Sequence, residues 1–122
     1  MAGQAVLIVL AVREPAMRSA LAAQLTLAGV DLVTAHEVDG PVLRRSVRRP
    51  AVLILDEHTV ISRPPEWLDA LVAEPYWRQI VVLCDILETH GPRDARLVHL
   101  DRHHAREAIA ELLPTWVAEE NG

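Results

Sequence analysis

Lysine and phenylalanine are absent from this chain, and cysteine, glycine and aromatic residues are scarce. The single cysteine, Cys84, excludes an internal disulfide and fits a reducing, cytoplasmic setting. No apolar stretch approaches the ~20 residues that a membrane helix needs; Val6 to Val12 is far too short. The opening Met-Ala-Gly-Gln carries no basic stretch and no cleavage site, so no secretory signal is expected. There is no glycine-rich phosphate loop and no Gly-x-Ser-x-Gly elbow, so no enzyme class is indicated. No repeat, low-complexity tract or linker divides the chain. The formal charge of −5 argues against nucleic acid as the main partner.

What is present fits one domain. The chain has 122 residues, 51% of them apolar, enough to bury one sizeable core. Residues 1–117 read as that domain and 118–122 as a frayed tail. Two hydrophobic periods alternate along it. Ala5 to Val12, Leu32 to Ala35, Ala51 to Leu55, Gln79 to Cys84 and Arg96 to Leu100 have the length and composition of strands. Between them run amphipathic helices. Pro15 opens the first, with Met17, Leu21, Leu25 and Ala28 on one face and Gly29 as its stop. Asp39 and Pro41 open a second, with Val42, Leu43 and Val47 inward and Arg44, Arg45, Arg48 and Arg49 outward. Pro64 and Pro65 open another around Trp67, Leu68, Leu71 and Val72, and Pro75 ends it. The last runs from Ala105 to Leu113, with Ile109, Leu112 and Leu113 inward and Pro114 as its brake; Trp116 packs a final turn. Apolar strands alternating with helices predict an α/β fold: a doubly wound parallel sheet covered on both faces.

Asp56 is the most informative residue. It ends the run Ala51-Val52-Leu53-Ile54-Leu55 and so places a carboxylate at the carboxyl end of a buried strand. Ligands and chemistry of open α/β sheets gather at that end. The ordinary alternative is a strand-end Asp that begins a turn.

Glu14-Pro15-Ala16-Met17-Arg18, Pro50 to Asp56, and Leu97-Val98-His99-Leu100 together resemble the receiver domain of bacterial response regulators. They look like the start of its first helix, its phospho-acceptor strand and its fifth strand. The resemblance covers roughly residues 5–114 and implies a flavodoxin-like sheet of five strands in the order 2-1-3-4-5. The family takes a phosphoryl group on the strand-three Asp. It uses Mg²⁺, an acidic pair after strand one, a Ser/Thr after strand four and a Lys after strand five. On this resemblance Asp56 is the acceptor, Val12 and Arg13 replace the acidic pair, Cys84 replaces the Ser/Thr and His99 the Lys. Glu14 lies next to the altered pair.

Mg²⁺ wants carboxylate oxygens. Val12 offers none, and a guanidinium ~4 Å from the ion would be repelled by about 8 kcal/mol at an effective dielectric of ~20. Asp56 is therefore expected to be inert towards phosphorylation, with Arg13 paired to Asp56 or Glu14 in place of metal. No resident metal or cofactor is expected. The simpler reading of Cys84 is a buried small hydrophobe, and of His99 a plain surface residue at a strand end. Between Cys84 and Arg96 only Asp85 to Ala95 is available, and Gly91-Pro92 interrupts it. A parallel crossover needs about ten to twelve residues, so the family's fourth helix should be missing or shortened.

The leading expectation is a phosphorylation-independent, receiver-like signalling domain that binds a protein partner. A homodimer through strand five and the last helix is a further expectation, with Leu97, Ile109 and Leu113 as candidate contacts. One alternative is an active receiver phosphorylated on Asp56 by a histidine kinase. Another is a metal or small-ligand site in which Asp56, His58, Cys84 and His99 converge, since Zn²⁺ accepts such ligands. The arginine stripe reads as a solvated helix face, with an acidic partner as the alternative. Trp67, Tyr76 and Trp77 read as core, or as an interface anchor if Trp77 is exposed. His103-His104 has no partner at metal-ligand spacing.

Overall fold

The three most apolar runs form the centre of one parallel sheet. In the computed structural model these are β1 (Leu7–Ala11), β3 (Ala51–Asp56) and β4 (Trp77–Cys84). β2 (Asp31–Thr34) and β5 (Leu97–Asp101) lie at the two edges. The structure describes residues 5–35, 49–85 and 94–121. The order is β2-β1-β3-β4-β5 and every pairing is parallel, a flavodoxin-like arrangement. β1 is buried along its whole length, as a strand covered on both faces must be.

Each face of the sheet has its own core. On one face Ile8, Leu10, Val52, Ile54, Val81 and Leu83 pack against α1 (Pro15–Leu27) and α4 (Ala105–Asn121). Those helices contribute Leu21 and Leu25, then Ala105, Ile109 and Trp116. On the other face Leu7, Val9, Leu53, Leu55, Ile80, Val82 and Cys84 meet Leu68, Leu71 and Val72 of α3 (Pro65–Ala73). A fully buried Leu, Ile or Val contributes about 1.5–3 kcal/mol, so these two layers supply most of the stabilisation. Trp77 is buried in the second layer, and its ring lies 4.8 Å from Tyr76; it is core, not an exposed anchor. Trp67 is half-buried, with the Arg63 guanidinium 5.3 Å above its ring.

Local chemistry sets the ends of α1. The Glu14 side chain accepts from Ala16 N and Met17 N at 3.0 and 2.7 Å, so two otherwise unpaired donors are satisfied. Pro15 follows at the first helical position, where its missing N–H loses nothing. At the other end Gly29 takes φ 81°, the left-handed region where a Cβ is penalised. Gly29 N then reaches Thr26 O and Val30 N reaches Leu25 O, a Schellman stop.

Four expectations are corrected. Ala28 is exposed, because Leu21 and Leu25 already fill the inward face. A short helix, α2 (Glu57–Ile61), follows β3 where a turn was expected. Pro114 does not stop the last helix, which continues to Asn121, so residues 118–121 are helical. Pro114 and Ala110 are both exposed, so the carbonyl left without a donor lies on the solvent side of the helix. Arg49 does not face solvent in a basic stripe. It donates to Ala5 O at 2.6 Å and to Asp31 Oδ2 at 2.5 Å, tying the amino ends of β1 and β2 together. Arg44, Arg45 and Arg48, the helix expected from Asp39, and the crossover expected to lack a helix (86–93) lie outside the described residues.

Candidate functional site

β1 and β3 are neighbours, yet β2 lies on the far side of β1, so the chain leaves them in opposite directions. Open α/β sheets form a crevice at such a point, at the carboxyl ends of the strands. Here it is a cavity of about 450 Å³. Its lining comes from the β1–α1 loop (Val12, Arg13, Glu14), α1 (Met17), the β3–α2 segment (Asp56, Glu57, His58, Ile61), the end of β4 (Leu83, Asp85) and Arg102 after β5.

Asp56 holds this crevice together. Its Oδ2 accepts from the main-chain N–H of Arg13 at 2.8 Å. Its Oδ1 accepts from Thr59 N at 3.2 Å and Thr59 Oγ1 at 2.7 Å. The carboxylate thereby caps α2 and pins the β1 loop to the end of β3. All three donors are neutral, so they orient its charge without cancelling it.

Arg102 begins a short 3₁₀ turn (Arg102–His104) capped by Asp101, which accepts from His103 N at 2.9 Å. Its guanidinium reaches Asp85 Oδ1 at 3.3 Å and Glu14 Oε2 at 3.9 Å. His103 Nε2 lies 3.9 Å from the same Asp85 oxygen. The Asp85 main-chain N–H donates to Glu57 Oε1 at 3.4 Å. One cation thus joins the loops after β1, β4 and β5 across the mouth of the cavity.

No family model, curated protein or solved structure matches this chain. Its chemistry must be read from the geometry.

The expected site residues are only partly brought together. Val12, Arg13, Glu14 and Asp56 line the cavity, and so does His58. Cys84 does not. It is fully buried on the opposite sheet face, beside Leu55 and Val82, with Sγ 3.7 Å from Val82 O. Burial first, then the Glu57 charge, pushes its thiol up to about 11. His99 is not at a strand end either. It pairs in register with Val82, two positions before Asp101 and so about 7 Å short of the end. The cation that follows strand five is Arg102. The pairing expected of Arg13 is also corrected. Its main chain binds Asp56, while its exposed side chain makes no ion pair among the described residues.

A metal does not fit these residues. Among the described residues no three His, Cys, Asp or Glu side chains stand close enough together to hold an ion. Asp56, His58, Cys84 and His99 do not converge, which removes the zinc alternative. Val12 is 2% exposed and offers no ligand atom, and Glu14 is turned to cap α1. Mg²⁺ demands near-octahedral oxygen ligands, and the guanidinium already placed here would oppose it.

Sequence reading missed Arg102, Asp85 and Glu57. Each directly follows the carboxyl end of a strand, and that position is the signal that would have found them.

Proposed function

We propose that this chain is a receiver-like signalling domain that works without phosphorylation, as a protein-interaction module of a bacterial, cytoplasmic pathway. The observation that carries this reading is Arg102 between Glu14 and Asp85, in the crevice where Asp56 ends β3. A phosphoryl transfer to Asp56 would need the entering negative charge to be neutralised at that carboxylate. Arg102 is held by two other carboxylates, and the acceptor oxygens already receive three hydrogen bonds. Arg102 also links the loops that a switch would move, through two partly exposed ion pairs. Such a domain presents a constant surface and acts by binding.

Intact-mass analysis after incubation with acetyl phosphate and Mg²⁺ tests this. The expected result is an unchanged mass. A stoichiometric gain of one phosphoryl group, lost in Asp56→Asn, would favour an active receiver served by a histidine kinase.

The homodimer through strand five is kept on a narrower set of contacts. Ile109 is fully buried and leaves the set; Leu97 and Leu113 are partly exposed and remain. Sedimentation equilibrium over a wide concentration range tests it: a strictly monomeric chain would remove the idea. Among the described residues no helix is long and apolar enough to cross a membrane.

A further inference from the structure

Three large apolar side chains are exposed among the described residues: Leu27, Ile61 and Val117. Leu27 ends α1 and Val117 lies in the last turns of α4, away from any cavity wall described above. Ile61 is different. It is 64% exposed and lines the crevice, where Met17, Val12 and Leu83 continue an apolar wall. The rest of the lining is polar, with four carboxylates (Glu14, Asp56, Glu57, Asp85) against two guanidiniums (Arg13, Arg102) and the His58 imidazole. Arg102 is shared by two of those carboxylates, and the donors to Asp56 are neutral. The crevice therefore keeps an excess of negative charge next to an exposed apolar residue.

A ligand that answers both walls has an alkyl stem ending in a cation, with an apolar group beside it. We infer that the crevice docks a segment of a partner protein in which an arginine or lysine stands next to a large apolar residue. The apolar residue covers Ile61, the stem of the basic one lies along Met17, and its charge faces Asp56 and Asp85. This rests on the reading of the chain as an interaction module and names the chemistry of its partner. A small free cation would answer the charge and leave Ile61 bare. A second copy at this face is disfavoured, because pairing crevice to crevice would bring their carboxylates together, while a basic partner is steered in.

The test uses the full chain and a fluorescein-labelled, capped Gly-Leu-Arg-Ile-Arg-Gly peptide, followed by fluorescence anisotropy. The expected result is saturable binding below about 1 mM that weakens about tenfold between about 50 and about 500 mM NaCl, because screening shortens the range of the charges. Ile61→Ser and Asp85→Asn, both at exposed positions, should each weaken it at least about fivefold with unchanged far-ultraviolet circular dichroism. Four results would overturn the proposal. They are no binding at about 1 mM peptide, equal binding of the same peptide with glutamate for arginine, wild-type affinity in both variants, or equal competition by N-acetylarginine amide. Self-association abolished by Ile61→Ser would instead assign the face to a second copy and overturn it too. The two readings fail separately: the mass measurement reports phosphoryl uptake by the free chain and the anisotropy reports peptide binding by the unphosphorylated chain, so either result can fail while the other stands.

Discussion

The main-chain N–H of Arg13 donates to Asp56 Oδ2 across 2.8 Å and so bridges the ends of β1 and β3. The opposite oxygen caps α2 through Thr59. Asp56 is therefore a structural carboxylate as well as a candidate acceptor. Asp56→Ala should lower stability by about 1–2 kcal/mol, since it removes an N-cap and strands the Arg13 donor. Asp56→Asn should lose less, because its single Oδ1 can keep the Thr59 cap while its Nδ2 donor faces the Arg13 N–H and cannot accept from it. Urea denaturation of the three proteins at constant m-value checks the order. Equal losses in both variants would show that the hydrogen bond from Arg13, not the Thr59 cap, carries the stabilisation.

Much of this was legible in the residues. Ala51 to Leu55 and Ile80 to Leu83 are apolar throughout because both faces of their strands are covered, and that pattern gave the sheet class. Pro15 and Gly29 marked α1 because each is suited to one end of a helix. The misses have physical causes too. α2 spans five residues, too few to show a helical period. β5 ends at Asp101, one residue later than its apolar run suggests, and that step moved the strand-end position from His99 towards Arg102. Cys84 shares its face with Val82 by simple alternation, but the register that sets Asp56 opposite Leu83, and so on the other face, is not carried by strands apolar on both sides.

Magnesium should leave the protein unchanged. A site with Kd of ~0.1 mM would add about 2.7 kcal/mol at hundredfold excess of ion and raise Tm by several degrees. The guanidinium between Glu14 and Asp85 opposes such a site. Thermal melts with about 10 mM MgCl₂ or with EDTA should therefore superimpose. A rise of several degrees with Mg²⁺ would contradict the assignment of Arg102 as the resident cation.

Cys84 should make stability fall in alkali. Its thiol is raised from the ordinary 9.0 to about 11 in the folded chain, chiefly by burial. The unfolded chain therefore loses this proton first as pH rises. The contribution is fully present below about pH 9 and is lost as pH climbs through about 11. Its size is on the order of 2–3 kcal/mol. Cys84→Val keeps an apolar side chain and cannot titrate, so its urea midpoint should decline less over that window. Thiol reagents at pH 8 should label only the unfolded wild type. Rapid labelling of the native protein would place Cys84 outside the core.

Pro114 and Trp116 should respond to substitution with opposite signs. Pro114 sits inside α4, where a proline removes one hydrogen bond and crowds the preceding turn at a cost of about 3 kcal/mol. The helix continues because Trp116, two residues on, is 2% exposed in the core under the sheet. Its indole N–H donates to Gln79 Oε1 at 2.5 Å, which anchors the last turns to β4. An indole that buries about 150–250 Å² contributes on the order of 4–6 kcal/mol, enough to outweigh the proline. Trp116→Ala should therefore destabilise the protein by about 3–5 kcal/mol and shorten the helix seen by circular dichroism. Pro114→Ala restores a donor to the exposed Ala110 carbonyl and relieves the crowding, but it also frees the unfolded chain by about 0.4–1 kcal/mol. The net expectation is a gain of about 2–2.6 kcal/mol in urea denaturation. In the double variant the helix should again be shorter than wild type, since a better helix former at position 114 cannot replace the anchor at 116. A full-length helix in Trp116→Ala would show that residues 114–121 hold their conformation without the indole.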